Sequence, residues 1–186
     1  MLVEKQYDRT RAVLYARRWA KSRNPLFADF TGIGGNCTNF ASQCLYAGGC
    51  TMNFTPVFGW YYLTADQRTA SWTGVEFLYN FLTANTGEGP YAAEIPQEAL
   101  LPGDVIQLSR MGDFYHTLFC VGREESGTPL VAAQSDDALD RPLSSYSYDS
   151  ARFLHILGIR LEVPDFSDCF PSLLSGTALL TNGSRS

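Results

Sequence analysis

The 186-residue chain holds five cysteines and two histidines, and one of those cysteines stands apart by its setting. Cys37 follows the glycine-rich run TGIGGN and heads the stretch CTNFASQCLYAGG. Counting from it, Phe40, Ala41, Cys44 and Leu45 fall at i+3, i+4, i+7 and i+8, the stripe of one apolar helix face. Gly48-Gly49 then offer the left-handed turn that commonly ends a helix. A thiol at such a helix start sits over unpaired N–H groups, where the macrodipole favours the thiolate. The same cysteine also reads as the first rung of a buried stripe, because a free thiol packs as a small hydrophobe. A partner base elsewhere in the chain decides between the two.

Only His116 and His155 can supply an imidazole. His116 opens the segment HTLFCVG, where a side chain at a sheet's rim can face a helix N-terminus. His155 lies mid-strand on the face shared by Phe153, Leu157 and Ile159, which reads as apolar, so a structural role is expected for it. A base that takes the thiol proton needs a polar group behind it to fix its tautomer. Gln134, Ser135, Asp136 and Asp137, at the end of the next strand, are the candidates; the same QSDD also reads as a solvated turn.

Other chemistries find less support. Cys37, Cys44 and Cys50 are not spaced as C-x₂-C knuckles, and neither histidine belongs to an H-x-x-x-H, so no metal site is expected. TGIGGN is followed by Cys-Thr rather than Lys and is no phosphate loop. No acidic pair stands out for carboxylate-pair hydrolysis. No cofactor is expected. Trp60, Tyr61 and Trp72 are candidates for lining a substrate groove, against the plainer reading that they are core.

The elements that must position these residues read as helices first and strands later. YDRTRAVLYARRWA has Asp8 as N-cap and Ala12, Ala16, Trp19 and Ala20 at helical spacing. The cysteine helix follows. Thr73 and Glu76 form a capping-box signature before Val75, Leu78, Tyr79 and Leu82. From there the period shortens: Val105–Leu108, HTLFCVG, TPLVAAQ and RFLHILGIRL read as strands, with Gly127 and Pro129 turning an antiparallel hairpin. The order predicts an α+β fold, N-terminal helices packed on a C-terminal antiparallel sheet. Residues 1–163 form one domain in this reading, and 164–186 an irregular C-terminal tail.

Composition narrows the function classes. Hydrophobic content of 45% and charged content of 18% suit a globular chain. A net charge of −5 with no basic run argues against nucleic acid as the main partner. No apolar run approaches the ~20 residues of a membrane span. The first residues lack the apolar segment of a signal peptide, so the chain as written reads as cytoplasmic. An odd number of cysteines forbids complete internal pairing, and their scatter does not resemble the framework of a small secreted scaffold.

YDRTRAVLYARRWA, NCTNFASQCLYAGGCTM, WYY, SWTGVEFLYNFL, LLPGDVIQL and YHTLFCVG, in this order, resemble the bacterial putative amidase domain, over about residues 7 to 161. That family looks related to cell-wall cysteine amidohydrolases and peptidases of reduced papain-like fold, and it is commonly exported. The resemblance implies that Cys37 is the nucleophile and His116 the base of an amide hydrolase acting on a cell-wall peptide or another small peptide amide. Two positions depart from the family pattern. Asn36 stands where the family usually has Asp, and Gln134 where it tends to have His. Glutamine can still accept an imidazole N–H, so Gln134 is the expected third member, with Asn36, Asp136 or Asp137 as supports of charge or oxyanion. A non-catalytic binding module, or an acyl or peptidyl transferase using the same cysteine, remains the alternative.

Overall fold

The computed structural model describes residues 1–162 and 167–177. Five helices and seven strands alternate unevenly along it. Strand β1 (Val3–Lys5) precedes helix α1 (Arg9–Trp19), and α2 (Cys37–Gly49), α3 (Ala70–Thr73) and α4 (Val75–Ala84) follow. Strands β2 (Gly89–Ile95), β3 (Val105–Arg110), β4 (Asp113–Arg123), β5 (Pro129–Ala133), β6 (Ala138–Pro142) and β7 (Ser150–Leu161) come next, and a short α5 (Phe170–Ser175) closes the described chain. All strand pairs are antiparallel. The sheet runs β1-β7-β3-β4-β5-β6, with β2 also paired to β7. The fold is α+β, as the order of periods predicts.

Each helix buries the stripe its spacing announces. Asp8 caps α1 by accepting from the Arg11 N–H, and Ala12, Tyr15, Ala16 and Trp19 face inward. In α2 every residue except Tyr46 is buried, so this helix is the spine of the helical layer. One face of the sheet meets that layer through Val105, Phe119, Val121, Ala132, Leu154 and Ile159. The opposite face buries Ile106, Leu108, Leu118, Cys120, Val131 and Phe153 under the segments carrying Leu100 and Leu143. Period-2 alternation along β3 and β4 therefore sorts side chains between a helix face and an outer face.

Four expectations need correction. The left-handed residue ending α2 is Cys50, φ 52°, and not a glycine. Gly48 and Gly49 serve close packing instead: a Cβ on Gly48 would come within 2.3 Å of the Tyr7 ring, and one on Gly49 within 2.6 Å of Ile159 Cδ1. The capping box at Thr73 does not form. Thr73 ends α3, Gly74 is the N-cap of α4, and the Glu76 carboxylate pairs with Arg152. The tail is not irregular throughout, because α5 docks on α1, with the Trp19 indole donating to Leu173 O at 3.1 Å; residues 163–166 and 178–186 lie outside the described residues. Finally, Cys50 and Cys169 form a disulfide that joins the end of α2 to the start of α5. A covalent tie of this kind persists in oxidising surroundings. No described helix is long and apolar enough to cross a membrane.

Candidate functional site around Cys37

The chain enters α2 through Gly32, Gly34 and Gly35, all at positive φ, a bend that only glycine takes without strain. Asn36 follows as N-cap, yet its side chain does not cap. Its Oδ1 accepts from the Phe30 N–H at 3.0 Å and from Asn39 Nδ2 at 2.8 Å, and its backbone N–H donates to Ser135 Oγ. The first helical N–H groups, those of Cys37, Thr38 and Asn39, have no i−4 carbonyl within a helix. Asn36 places no side-chain cap over them. The thiol is buried, 8% exposed, and its Sγ lies 3.8 Å from Thr38 Oγ1.

Gln134 holds this entry in place. It is 1% exposed; its Nε2 donates to Trp19 O and Ser22 O, both at 2.8 Å, and its Oε1 accepts from Asn36 Nδ2. Asn36 and Gln134 are thus each other's partners, a neutral amide pair beside the cysteine. The hydrogen bond expected between Gln134 and His116 is not formed, because Gln134 is spent on α1 and on Asn36.

His116 also differs from expectation. Strand β4 begins at Asp113, so His116 lies inside it rather than at its rim, and strand parity fixes its face. Thr117 turns toward the helices, its Oγ1 2.8 Å from Thr38 Oγ1. His116 takes the other face, with Leu118 and Cys120. Its ring lies 6.0 Å from the ring of Tyr115 and 6.0 Å from that of Tyr146, centroid to centroid. Among the described residues it makes no hydrogen bond to Cys37. Burial lowers its pKa to about 4; Asp136 opposes that shift, and Arg141 and Arg110 add to it. The imidazole is therefore neutral at pH 7. Asp136 pairs with Arg141 at 3.0 Å, and Asp137 with Arg23 at 3.0 Å; of the two, Asp136 is the carboxylate whose field reaches His116.

His155 is no apolar core residue. Its Nδ1 lies 2.9 Å from Asp104 Oδ2, and Asp104, fully buried, also accepts from Arg9 at 2.7 Å and from the N–H groups of Leu101 and Ile156. Arg9 Nη2 also lies 3.2 Å from that Nδ1, so His155, Asp104 and Arg9 form one polar cluster. Leu157, expected on its face, is exposed, because the β2–β7 register slips beside it. His155 shares a cavity of about 580 Å³ with Gly48, Gly49 and Cys50, the far end of α2. At 1.5 Å per residue, that is roughly 20 Å from Cys37.

Residues 6–157 are matched by the model of a family described as a putative amidase domain. The chain belongs to that family. The amidase domain is also similar to YhbB, an uncharacterized protein of Bacillus subtilis (strain 168), 39% identical over 138 residues that make up 72% of this chain and 43% of the relative. The chain thus spans less than half the length of the curated relative it matches. No solved structure matches it. At the coarsest level, the family assigns the domain amide hydrolysis.

Within the amidase domain, two of the three expected groove aromatics are core. Trp60 and Trp72 are fully buried. Their indoles donate to Ser42 Oγ and Asn39 Oδ1, so they brace α2 from behind. Tyr61, half-buried, packs against the Phe54 ring. Sequence reasoning also passed over Thr38, Gln107, Thr117 and Arg152, all buried polar residues. Their signal was present: Gln107 and Thr117 are polar residues at helix-facing positions of otherwise apolar strands. Among the described residues, no group of three His, Cys, Asp or Glu is placed to hold a metal ion.

Proposed function

We propose that this amidase domain cleaves an amide bond with Cys37 as its nucleophile, on a papain-like plan of helix-borne cysteine and sheet-borne histidine. The observation that carries the reading is the uncapped start of α2, where a thiol and free N–H donors share one place. His116 accepts the Sγ proton, and the sulfur attacks the carbonyl carbon. The oxyanion is held by the Cys37 N–H, with the Thr38 N–H as second donor. Collapse expels the amine, which takes the proton from His116. Water, deprotonated in turn by His116, then hydrolyses the acyl-thioester. His155 is unsuited to this role, because it lies at the other end of α2 with Nδ1 on Asp104. His116 stands on the outer face beside a bulge, where Ser109 pairs with Phe114 and Leu108 with His116, so this step requires its ring to swing toward Cys37. The substrate class is a peptide amide, cell-wall peptides included.

A second reading, a binding module without turnover, is favoured by the placement of His116 on the outer face. An acyl or peptidyl transferase would share the first half-reaction and differ only in the acceptor. Hydrolysis of a panel of short peptide amides, peptidoglycan stem peptides among them, separates these readings. Under the proposal, Cys37→Ala abolishes hydrolysis and His116→Ala lowers kcat by ~10²-fold or more. Saturable binding without hydrolysis, unchanged in both variants, establishes the binding module.

A further inference from the structure

A file of buried polar groups crosses from the sheet to Cys37. Arg152, with a side chain 8% exposed, is held with its guanidinium carbon 3.6 Å from the Tyr79 ring centroid and 3.7 Å from that of Phe114, and it pairs with Glu76 at 2.9 Å. Its Nε can only donate, and it does so to Gln107 Oε1 at 2.8 Å. That fixes the amide, whose Nε2 donates to Val75 O at 2.8 Å and to Thr117 Oγ1 at 3.2 Å. Both ends of Gln107 are settled by partners of one kind, a donor and a carbonyl. Thr117 Oγ1 accepts from Gln107 and lies 2.8 Å from Thr38 Oγ1, where either hydroxyl can donate. Thr38 Oγ1 in turn lies 3.8 Å from Cys37 Sγ.

We infer that the hydroxyl protons of this file point one way, from Thr117 to Thr38 and from Thr38 to sulfur. A relay rooted at Arg152 and passed through Gln107 thereby delivers an O–H donor to Cys37 Sγ and stabilises the anion formed when its proton leaves for His116. The inference rests on the reading of Cys37 as nucleophile. It assigns Thr38 to direct contact with the reacting atom, and makes Thr117, Gln107 and Arg152 positioning residues. A plain packing role would need no common direction; buried polar groups need only be satisfied. Donors that align polarise one another, and a donor toward an ionised sulfur stabilises it more than the neutral thiol.

The test is the rate of Cys37 alkylation by iodoacetamide, read site by site by mass spectrometry in the full chain, at about pH 6.5 and about pH 9.5, with thermal melts alongside. Thr38→Val keeps the shape and removes the donor. It is expected to slow labelling about five- to tenfold at the lower pH and little at the higher, where the thiolate forms unaided. Thr38→Ser should label as wild type, and Thr117→Val should slow labelling in the same direction by about two- to threefold. Thr117→Val also stands in if Thr38→Val fails to fold. Equal losses at both pH values, or no loss in Thr38→Val and Thr117→Val while wild type labels faster folded than denatured, overturn the relay and leave the nucleophile standing. A wild type that labels no faster folded than denatured removes the nucleophile, and the relay with it.

Discussion

The two ends of α2 are built by different means. At its C-terminal end, Gly48 and Gly49 let the helix pack against Tyr7 and Ile159. There Cys50 is bonded to Cys169, and His155 is tied to a buried aspartate. At its N-terminal end, Ser135 accepts from the Asn36 N–H, and side-chain hydrogen bonds join Asn36 to Gln134 and Thr38 to Thr117, while the first-turn donors have no side-chain cap. Apolar contact and covalent bonding fix the helix as a body. The N-terminal end is positioned by polar groups, with no side-chain cap on its first-turn donors. The contrast extends to the histidines: the packed end locks His155 to Asp104, while His116, near the open end, makes no hydrogen bond among the described residues and is kept neutral by burial.

Breaking the packed end should cost stability and spare Cys37. Replacing both Cys50 and Cys169 by Ser opens a cross-link spanning 119 residues, a loss of about 2–5 kcal/mol. Chemical denaturation measures it, and the folded variant should alkylate Cys37 at the wild-type rate. Slower labelling would mean that the two ends are coupled through the helix. His155→Ala takes a polar partner from the buried Asp104–Arg9 cluster and should cost about 1–3 kcal/mol, again with labelling unchanged.

Loosening the open end should do the reverse. Gln134→Ala removes three hydrogen bonds, to Trp19, Ser22 and Asn36. A modest cost of about 1–2 kcal/mol is expected, with Cys37 labelling slowed several-fold because residue 36 can shift. If melting falls and labelling does not, Gln134 only joins α1 to the sheet. The smallest effect concerns acid. His116 ionises at about 4 in the folded chain against an ordinary 6.5, so between those values the unfolded chain binds more protons. Stability should fall as pH drops from about 6.5 to 4, by about 1–2 kcal/mol after allowance for partial exposure. His116→Gln should flatten that limb in urea melts taken across the range.

Much of this was legible from residue spacing. The cysteine helix, the Asp8 cap and the β4–β5 hairpin follow from 3.6- and 2-residue periods, which are strong in those segments. Strands β1, β2 and β6 are absent from the sequence reading: all three residues of β1 are exposed, β2 opens on Gly-Pro without clean alternation, and proline and a positive-φ aspartate interrupt β6. The face of His116 was out of reach for a different reason. Parity depends on where a strand starts and on a bulge between residues 114 and 116, and a one-residue error exchanges the two faces. Gln134 was misassigned because a glutamine's partners are set by tertiary neighbours, here the end of α1, with no trace in local sequence.

Central to the account is that Cys37 reacts as a nucleophile because of where α2 begins. The most direct measurement exposes the folded protein to a peptide-derived electrophile mimicking an amide, and compares adduct formation on Cys37 with the same reaction in denaturant. The account predicts a single adduct, on Cys37, formed at least about tenfold faster in the folded state, while buried Cys44 and Cys120 stay unmodified. Equal rates folded and denatured, or an adduct that first appears on Cys44 or Cys120, would contradict it.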